Sequence, residues 1–492
     1  MDRPDPTPAT TLDAAIAAQR FGLGEADLAR VGPDPRGWLA AQIGPAAPQV
    51  GSGLASGADA LRIWFDLMRE RRERRRQEPP PEAAAPAAVP ARPEPLPAEH
   101  RLRDIVQADL RARLATAVAT PQPFNERLAL FWANHFTVSL AKGNTRGLVG
   151  AFEREAIRPH IGGSFETLLK AAVHHGAMLR YLDNDNSAGP DSRVVQRLAL
   201  AAERRGNGPP RLSGLNENLA REVMELHTLG ASGGGQSYGG WGDYDQRDVT
   251  AFARVLTGWR LPLRELQDGT LQDADGRFDP AWHEPGEQTV LGQRYGAGPQ
   301  ALDQVLHALA THRSTAHFVC MKLARHFVAD EPPPALVARL AASWQASAGD
   351  LPTVYRTLLA SPEAWQPQPT KLKTPEEFAV SSLRLLGGGP RPIAARPDLG
   401  IGTMGQRVQA APSPAGWPDT AADWLGPDAV WKRIEWAHRV AALAGRQTDA
   451  RLLAQAGLGA RLQPETLRQI DRAADGPQAL ALLLMAPEFQ RR

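Results

Sequence analysis

Helical periodicity dominates the pattern of hydrophobic and polar positions from residue 98 onward. Apolar residues recur every three or four positions, which is the spacing of one face of an α-helix, and capping residues and prolines divide the pattern. The predicted helices cover residues 98–119, 124–140, 146–158, 164–175, 191–205, 245–257, 299–311, 314–328, 334–347, 351–360, 374–387, 419–444 and 464–485. Shorter helices are predicted at 10–20, 34–43 and 58–77. The chain should therefore be mainly α-helical, with a multi-helix, bundle-like body and a C-terminal helical lobe.

The pattern changes between residues 259 and 296. Residues 289–295 read TVLGQRY, and residues 276–278 read GRF. Short runs of β-branched and aromatic residues beside glycine are typical of strands. We expect one small β-hairpin insertion within residues 261–298.

Length and local composition predict the domain organisation. A chain of 492 residues exceeds the size at which one hydrophobic core usually stops growing, so two lobes are expected. The Pro/Ala-rich run at residues 79–97 cannot build a core and should be disordered or extended, and the arginine-rich run before it should be a solvated helix end. The predicted units are N-terminal helices that pack on the body (1–68), a charged and Pro/Ala-rich linker (69–97), a main helical lobe (98–260), the β insertion (261–298) and a C-terminal helical lobe (299–492).

The signature segment, residues 215–230 with the sequence LNENLAREVMELHTLG, carries the densest set of polar groups. Asparagine can cap the start of a helix, and Gly230 can take the left-handed conformation that ends one. At about 100° per residue, an apolar stripe forms on one face of this helix. The polar stripe beside it consists of Asn218, Glu222 and Glu225. Carboxylates at the edge of a buried stripe are costly unless they are paired or bound to something.

Two interpretations of these charges are open. Glu217, Arg221 and Glu225 are spaced four residues apart, which suits a ladder of ion pairs worth a few tenths of a kcal/mol each. A structural helix would then explain three of the charged groups. Glu222 is harder to explain in this way because it lies closest to the apolar stripe. The alternative is a helix that binds a ligand or takes part in catalysis.

His135 provides a candidate partner for these carboxylates. It shares a predicted helix face with Leu128, Phe131 and Trp132, so it points into an apolar region. It is either a core histidine bonded to a carbonyl or carboxylate, or a metal ligand that faces a carboxylate helix.

The sharper hypothesis is a ligand site in which a divalent metal is held by His135, Glu222 and Glu225. Asn218 and Arg221 complete the set of candidate ligand-binding residues. A histidine together with carboxylates favours Zn²⁺ or Mn²⁺, whereas oxygen ligands alone favour Ca²⁺ or Mg²⁺. No nucleophile–base pattern stands out, so the sequence predicts no catalytic residue or reaction.

Composition excludes several classes of protein. The formal net charge of +2 is nearly balanced for this length, so general nucleic-acid binding is not indicated. The single cysteine, Cys320, excludes an intramolecular disulfide framework and lies in an apolar pattern, as a buried and inert thiol would. Neither a signal peptide nor an apolar run of membrane-spanning length is visible. The plain expectation is a soluble cytoplasmic protein.

Several ordered motifs carry a resemblance to a known family. Besides the signature segment, they are RFGLG (20–24), FWANHF (131–136), MLRYLD (178–183), DV…LTGW (248–259), HEPGE (283–287) and SPAGWP (413–418). Over nearly the whole chain, they resemble the bacterial family called domain of unknown function 1800 (DUF1800). The family often has a second histidine where this chain has Ala133, and it supplies no established reaction.

The resemblance also implies a partner. Members of the family are often encoded beside a DUF1501 protein, which resembles alkaline phosphatases and sulfatases and commonly carries a twin-arginine export signal. A chain without its own signal could then reach the periplasm by export with that partner. Two functions follow: a metal- or polar-ligand-binding enzyme of the cell envelope centred on the signature segment, or a non-catalytic companion or export escort of the DUF1501 protein.

Overall fold

The computed structural model describes residues 12–77, 94–204, 214–231 and 244–492. The Pro/Ala-rich part of the predicted linker, residues 78–93, lies outside these ranges, and residues 69–77 continue a helix. The first twelve α-helices of the described residues are α1 (Leu12–Ile16), α2 (Pro35–Ala40), α3 (Gly57–Gln77), α4 (Pro97–Ala119), α5 (Pro123–His135), α6 (Val149–Phe152), α7 (Phe165–His174), α8 (Gly176–Tyr181), α9 (Arg193–Arg204), α10 (Asn218–Glu222), α11 (Gln246–Leu256) and α12 (Leu263–Asp268). The remaining twelve are α13 (Pro299–Thr311), α14 (Arg313–Phe327), α15 (Pro334–Ala346), α16 (Leu351–Ala360), α17 (Pro375–Leu385), α18 (Arg391–Ala394), α19 (Ala421–Trp424), α20 (Pro427–Ala444), α21 (Ala450–Leu458), α22 (Pro464–Asp471), α23 (Gly476–Met485) and α24 (Pro487–Gln490). The predicted mainly α-helical fold is confirmed.

Capping residues start many of these helices. The hydroxyl of Ser164 accepts a hydrogen bond from the Thr167 amide at the start of α7, and the carboxylate of Asp350 accepts one from Thr353 at the start of α16. These side chains satisfy backbone N–H groups that have no partner within the helix. Proline follows the cap in several helices, where its missing N–H costs nothing.

Within the described ranges, four short strands interrupt the helices. β1 (Trp259–Arg260) pairs with β2 (Arg277–Phe278), and β3 (Gln288–Val290) pairs with β4 (Gln293–Tyr295), both in antiparallel register. The predicted hairpin is therefore β3–β4. The run at 276–278 does not join it as expected, because it pairs with the strand that follows α11.

Apolar side chains form two large cores. The first collects buried residues between Ala14 and Trp365, and the second collects residues between Phe378 and Phe489 together with part of α4. Helices α13 to α16 thus pack into the first core. Cys320 is buried in the first core, as the sequence predicted, and no helix in the described ranges is long and apolar enough to cross a membrane.

In the part of the chain that the structure describes, three helical segments widen into π-helix, where each N–H bonds to the carbonyl five residues back. They are Ala17–Phe21, Glu153–Ile157 and Val223–Thr228. The last of these continues α10 through the signature segment. The Leu229 amide bonds to the Met224 carbonyl at 2.8 Å, and the Thr228 hydroxyl donates to the Val223 carbonyl at 2.7 Å. Angles calculated for a regular α-helix therefore do not hold beyond Glu222, and π-turns are frequent at functional sites.

Candidate functional site

Four of the motifs noted in the sequence meet at one cavity of about 510 Å³. We call it the motif cavity. The motif residues that line it are Leu23 from RFGLG, Phe131, Ala133, Asn134 and His135 from FWANHF, Glu225 and Leu226 from the signature segment, and Ala415, Trp417 and Pro418 from SPAGWP. Its walls also include Leu23 and Val380 of the second core and Phe152 of the first, so the cavity lies where the two cores meet.

Asn134 joins two of these motifs. Its Nδ2 donates to the Trp417 carbonyl at 2.9 Å, and its Oδ1 accepts from the Trp417 amide at 2.8 Å. Gly416 makes this approach possible, because a Cβ added there would lie 2.5 Å from the Asn134 carbonyl oxygen. Its φ of 84° is also a conformation that glycine adopts without strain. The contact between the two motifs therefore requires both Gly416 and the side-chain amide of Asn134.

His135 joins FWANHF to the signature segment. Its Nε2 lies 3.0 Å from the backbone carbonyl of His227. Because a carbonyl can only accept, the proton of the neutral ring must be on Nε2, and Nδ1 carries the lone pair. The accepting carbonyl is one of the last in a helical segment, which has no partner within the helix. His135 is thus a buried histidine bonded to a carbonyl, the first of the two interpretations of the sequence.

Both histidines of this contact are held neutral. Burial, the charge of Lys322 and the neighbouring His227 put the pKa of His135 well below its usual range. Burial and the charge of Lys322 lower the pKa of His227 to about 3. The Nδ1 atom of His135 and both ring nitrogens of His227 are buried with no hydrogen-bond partner in the described part of the chain. Such unpartnered polar atoms are rare and need a physical explanation.

Most charged groups in the cavity wall are already paired. Arg127 forms a buried ion pair with Glu377, and Arg113 donates to Glu376 at 2.9 Å and also pairs with Glu153. Although burial opposes ionisation, Arg492 and Arg127 hold the pKa of Glu377 well below its usual range. Buried pairs of this kind satisfy each other and leave little charge for a ligand.

Asp419 is paired in the same way. His326 Nδ1 lies 2.7 Å from one of its oxygens, and Lys371 Nζ lies 3.1 Å from the other. Burial raises the pKa of Asp419, but the charges of His326 and Lys371 outweigh this effect and lower it. This carboxylate is therefore ionised and neutralised within the wall.

Lys322 differs from every other lysine. All six lysines lie in the described ranges, and five have hydrogen-bond or ion-pair partners. Those five are Lys142 (with Asp183), Lys170 (Glu166), Lys371 (Asp330), Lys373 (Gln19) and Lys432 (Asp428). Lys322 lines the motif cavity half-buried, with no such partner among the described residues, and its Nζ lies 5.4 Å from the centre of the Phe318 ring. Burial and the nearby charge of Arg325 lower its pKa to about 8.

The predicted site residues divide into two groups. His135 and Glu225 line the motif cavity, whereas Asn218, Arg221 and Glu222 are not among its lining residues. Asn218 is exposed at the start of α10, and its backbone amide donates to the side-chain oxygen of Asn216, two residues earlier, at 2.9 Å.

Arg221 takes part in the structural contact that the sequence suggested. It bonds to Glu217 at 3.1 Å and to Gln246 at 2.9 Å, and Glu217 also accepts from Thr250 of α11. Of the two ion pairs in the predicted ladder, only Glu217–Arg221 forms, because Glu225 does not pair with Arg221 among the described residues. Glu217 and Arg221 fasten the signature segment to α11.

Glu222 is half-buried without a salt bridge among the described residues. Burial and the charge of Glu225 raise its pKa. In the described ranges, no group of three or more His, Cys, Asp or Glu side chains is arranged to hold a metal ion. Joint ligation of a metal by His135, Glu222 and Glu225 stays a prediction.

Sequence reasoning missed Lys322, although one signal was present. Residues 318–327 of α14 read FVCMKLARHF, in which a single lysine interrupts an apolar helix four residues after Phe318. A lysine at that spacing shares a face with an aromatic residue. Without the fold, however, nothing shows that this face lines a cavity.

The family comparison agrees with the motifs. Residues 16–491 match the family described as "Protein of unknown function (DUF1800)", and the chain belongs to that family. The searches of curated proteins and of solved structures gave no match.

Proposed function

We propose that this member of the DUF1800 family binds a small organic anion in the motif cavity. Lys322 supplies the positive charge that the anion neutralises. The observation that carries the proposal is the unpaired amine of Lys322 in a wall whose other described ion pairs are already complete. This proposal develops the ligand-binding function predicted from the sequence, but its main ligand-binding group is Lys322 of α14 instead of Glu222.

The energetics favour an anionic ligand. A half-buried ammonium loses part of its hydration, which costs free energy. A partner of opposite charge or the loss of a proton offsets that cost. Lys142, Lys170, Lys371 and Lys432 each have a carboxylate partner, and Lys373 donates to the neutral side chains of Gln19 and Ser381. Among the described residues, Lys322 has neither kind of partner. A carboxylate or phosphate in the cavity would complete a charge-assisted hydrogen bond, worth about 1.5–3 kcal/mol.

The shape and lining of the cavity support an organic ligand. Its volume of about 510 Å³ lies within the range of small-molecule sites. Phe131, Leu226 and Phe318 give it apolar walls around the amine. Such a combination, mostly apolar with a few polar groups, is typical of pockets that bind and orient a small organic molecule.

Ligand-detected saturation-transfer NMR can test this proposal with a matched pair of probes. Benzoate and benzamide have nearly the same shape, but only benzoate is charged. We expect benzoate to bind more tightly than benzamide, and Lys322→Met to weaken benzoate binding about 10- to 100-fold. Inorganic phosphate, which has no C–H protons to observe, serves as a competitor of benzoate, and its effect on the benzoate signal separates carboxylate from phosphate ligands.

Lys432→Met is the control, because Lys432 is half-buried like Lys322 but is paired with Asp428 on α20 and does not line the motif cavity. It should leave benzoate binding unchanged. The proposal is wrong if neither anion binds at millimolar concentration, or if Lys322→Met and Lys432→Met bind benzoate equally well.

A companion role is the second candidate, supported by an apolar surface at the start of α20. Trp431 is 60% exposed, Ile434 is 40% exposed and Leu425 is 43% exposed. Exposed aromatic and aliphatic clusters are common at protein interfaces. The DUF1501 protein implied by the family resemblance is the partner to test, and export with it would place the chain in the periplasm.

Co-purification of the two proteins expressed together tests this role. We expect Trp431→Ser with Ile434→Ser to abolish the complex, whereas Leu452→Ser, on an exposed residue of α21, should retain it. Cell fractionation of the same strains reports whether export depends on the partner. Recovery of the wild-type chain alone contradicts the companion role.

A further inference from the structure

The amine of Lys322 is placed to act as a nucleophile as well as a charge. We infer that it condenses with the carbonyl carbon of a small 2-oxo acid and forms an imine in the motif cavity. This inference rests on the proposed function, because the carboxylate of the 2-oxo acid is the anion that Lys322 attracts.

The chemistry of 2-oxo acids makes the two roles compatible. Their carbonyl carbon is bonded directly to the carboxylate carbon, so an amine that contacts the carboxylate is already close to the electrophile. Reacting atoms held about 3–3.5 Å apart gain the advantage of an intramolecular reaction. A protonated imine keeps its positive charge next to the same carboxylate, so the ion pair survives the reaction.

The surroundings of Lys322 favour a reactive amine. A lysine becomes nucleophilic in an apolar pocket or beside another cation. Lys322 has both, because Phe318 and Leu226 line the same cavity and Arg325 lies three residues along α14. With a pKa of about 8 instead of 10.5, its neutral fraction at pH 7 is about 300-fold larger than that of an ordinary lysine.

The reaction balances without an external oxidant or reductant. The lone pair of Nζ forms the C–N bond, and the electrons of the carbonyl double bond move to its oxygen. The C–O bond of the resulting carbinolamine then breaks as the C=N bond forms. The carbonyl oxygen leaves as water with two of the three protons of the ammonium group, and the third, which solvent holds while the Nζ lone pair reacts, returns to the imine nitrogen. His135 lines the same cavity, and its Nδ1, which has no hydrogen-bond partner among the described residues, can accept a hydrogen bond from the carbinolamine hydroxyl.

Borohydride trapping tests the inference on the full chain. Pyruvate is the probe, and reduction converts an imine into a stable secondary amine. Intact mass spectrometry should show one adduct with the mass of pyruvic acid less one oxygen. Peptide mapping should place it on Lys322, and its yield should rise with pH around 8. The five paired lysines of the same chain are internal controls.

Lys322→Arg separates this inference from the proposed function. Arginine keeps the positive charge but forms no imine under these conditions, so the variant should bind benzoate and give no adduct. Benzoate binding by the wild-type chain without a pyruvate adduct overturns the imine and leaves the anion site standing. Equal modification of all six lysines also overturns the imine, and absence of both binding and adduct overturns the two proposals together.

Discussion

The contact between Asn134 and Trp417 is the sharpest test of how the motif cavity is built. Asn134→Ala removes both hydrogen bonds between α5 and the SPAGWP motif. It leaves the amide and the carbonyl of Trp417 without that partner. We expect the segment around Trp417 to open more easily while both hydrophobic cores remain folded, because neither core loses an apolar side chain.

The magnitude follows from the two bonds. Each is worth about 1 kcal/mol net, so local opening should become easier by about 2 kcal/mol. Since about 1.4 kcal/mol corresponds to a factor of ten, the Trp417 amide should exchange with solvent about 30-fold faster. Asn134→Asp should show a similar increase, because its second carboxylate oxygen would face the Trp417 carbonyl instead of donating to it.

Hydrogen exchange measured by mass spectrometry is the appropriate assay, because it reports local opening separately from global unfolding. The peptide to follow covers residues 412–420. Asn144→Ala is the control, since the Asn144 side chain donates to the Arg180 carbonyl at 3.3 Å and does not touch Trp417. Unchanged exchange of this peptide in Asn134→Ala would refute the inferred junction.

Three further predictions concern the same region. Gly416→Ala should lower the melting temperature more than Gly405→Ala does. Both glycines have positive φ (84° and 95°), so either substitution costs about 1–2 kcal/mol of backbone strain. Only at Gly416 does the added Cβ also meet another atom, 2.5 Å away. Because the pKa of His227 is about 3 in the folded chain and about 6.5 when unfolded, its contribution to stability is complete above pH 6.5 and falls as the pH drops toward 3. Between pH 7.5 and 5 the loss should be about 2 kcal/mol, and thermal melting of His227→Phe should show a smaller acid dependence; an identical dependence would contradict this assignment. For the metal site predicted from the sequence, elemental analysis of the purified chain should find a divalent metal that Glu222→Gln loses, and a wild-type chain without metal would count against it.

The secondary structure could be predicted from the sequence because its causes are local. The recurrence of apolar positions every three or four residues predicted most of the helices, although the predicted helix at 464–485 is divided into α22 and α23. Capping side chains such as that of Ser164 lie at the helix starts. The β3–β4 hairpin was predicted for the same reason, since both strands and the turn lie within eight residues. These signals depend only on near neighbours along the chain.

The angle between the side chains of Glu222 and His227 around the helix axis could not be predicted from the same local signals. The sequence pattern predicts a regular α-helix. Residues 223–228 instead form a π-helix, in which the Thr228 hydroxyl donates a hydrogen bond to the Val223 carbonyl. One extra residue in a turn rotates everything after it, so the predicted wheel positions fail beyond Glu222. His135 then meets the backbone carbonyl of His227.

The sequence by itself determined the helical class, the family and the residues that carry the motifs. Tertiary structure alone decided which motifs share a cavity and that the amine of Lys322 in its wall has no carboxylate partner among the described residues. Asn134 and Trp417 are 283 positions apart, and no local pattern encodes a hydrogen bond over that separation. The environment of Lys322 could not be predicted for the same physical reason. Whether its amine contacts a carboxylate depends on which side chains pack against it, and those come from helices that are distant in the sequence.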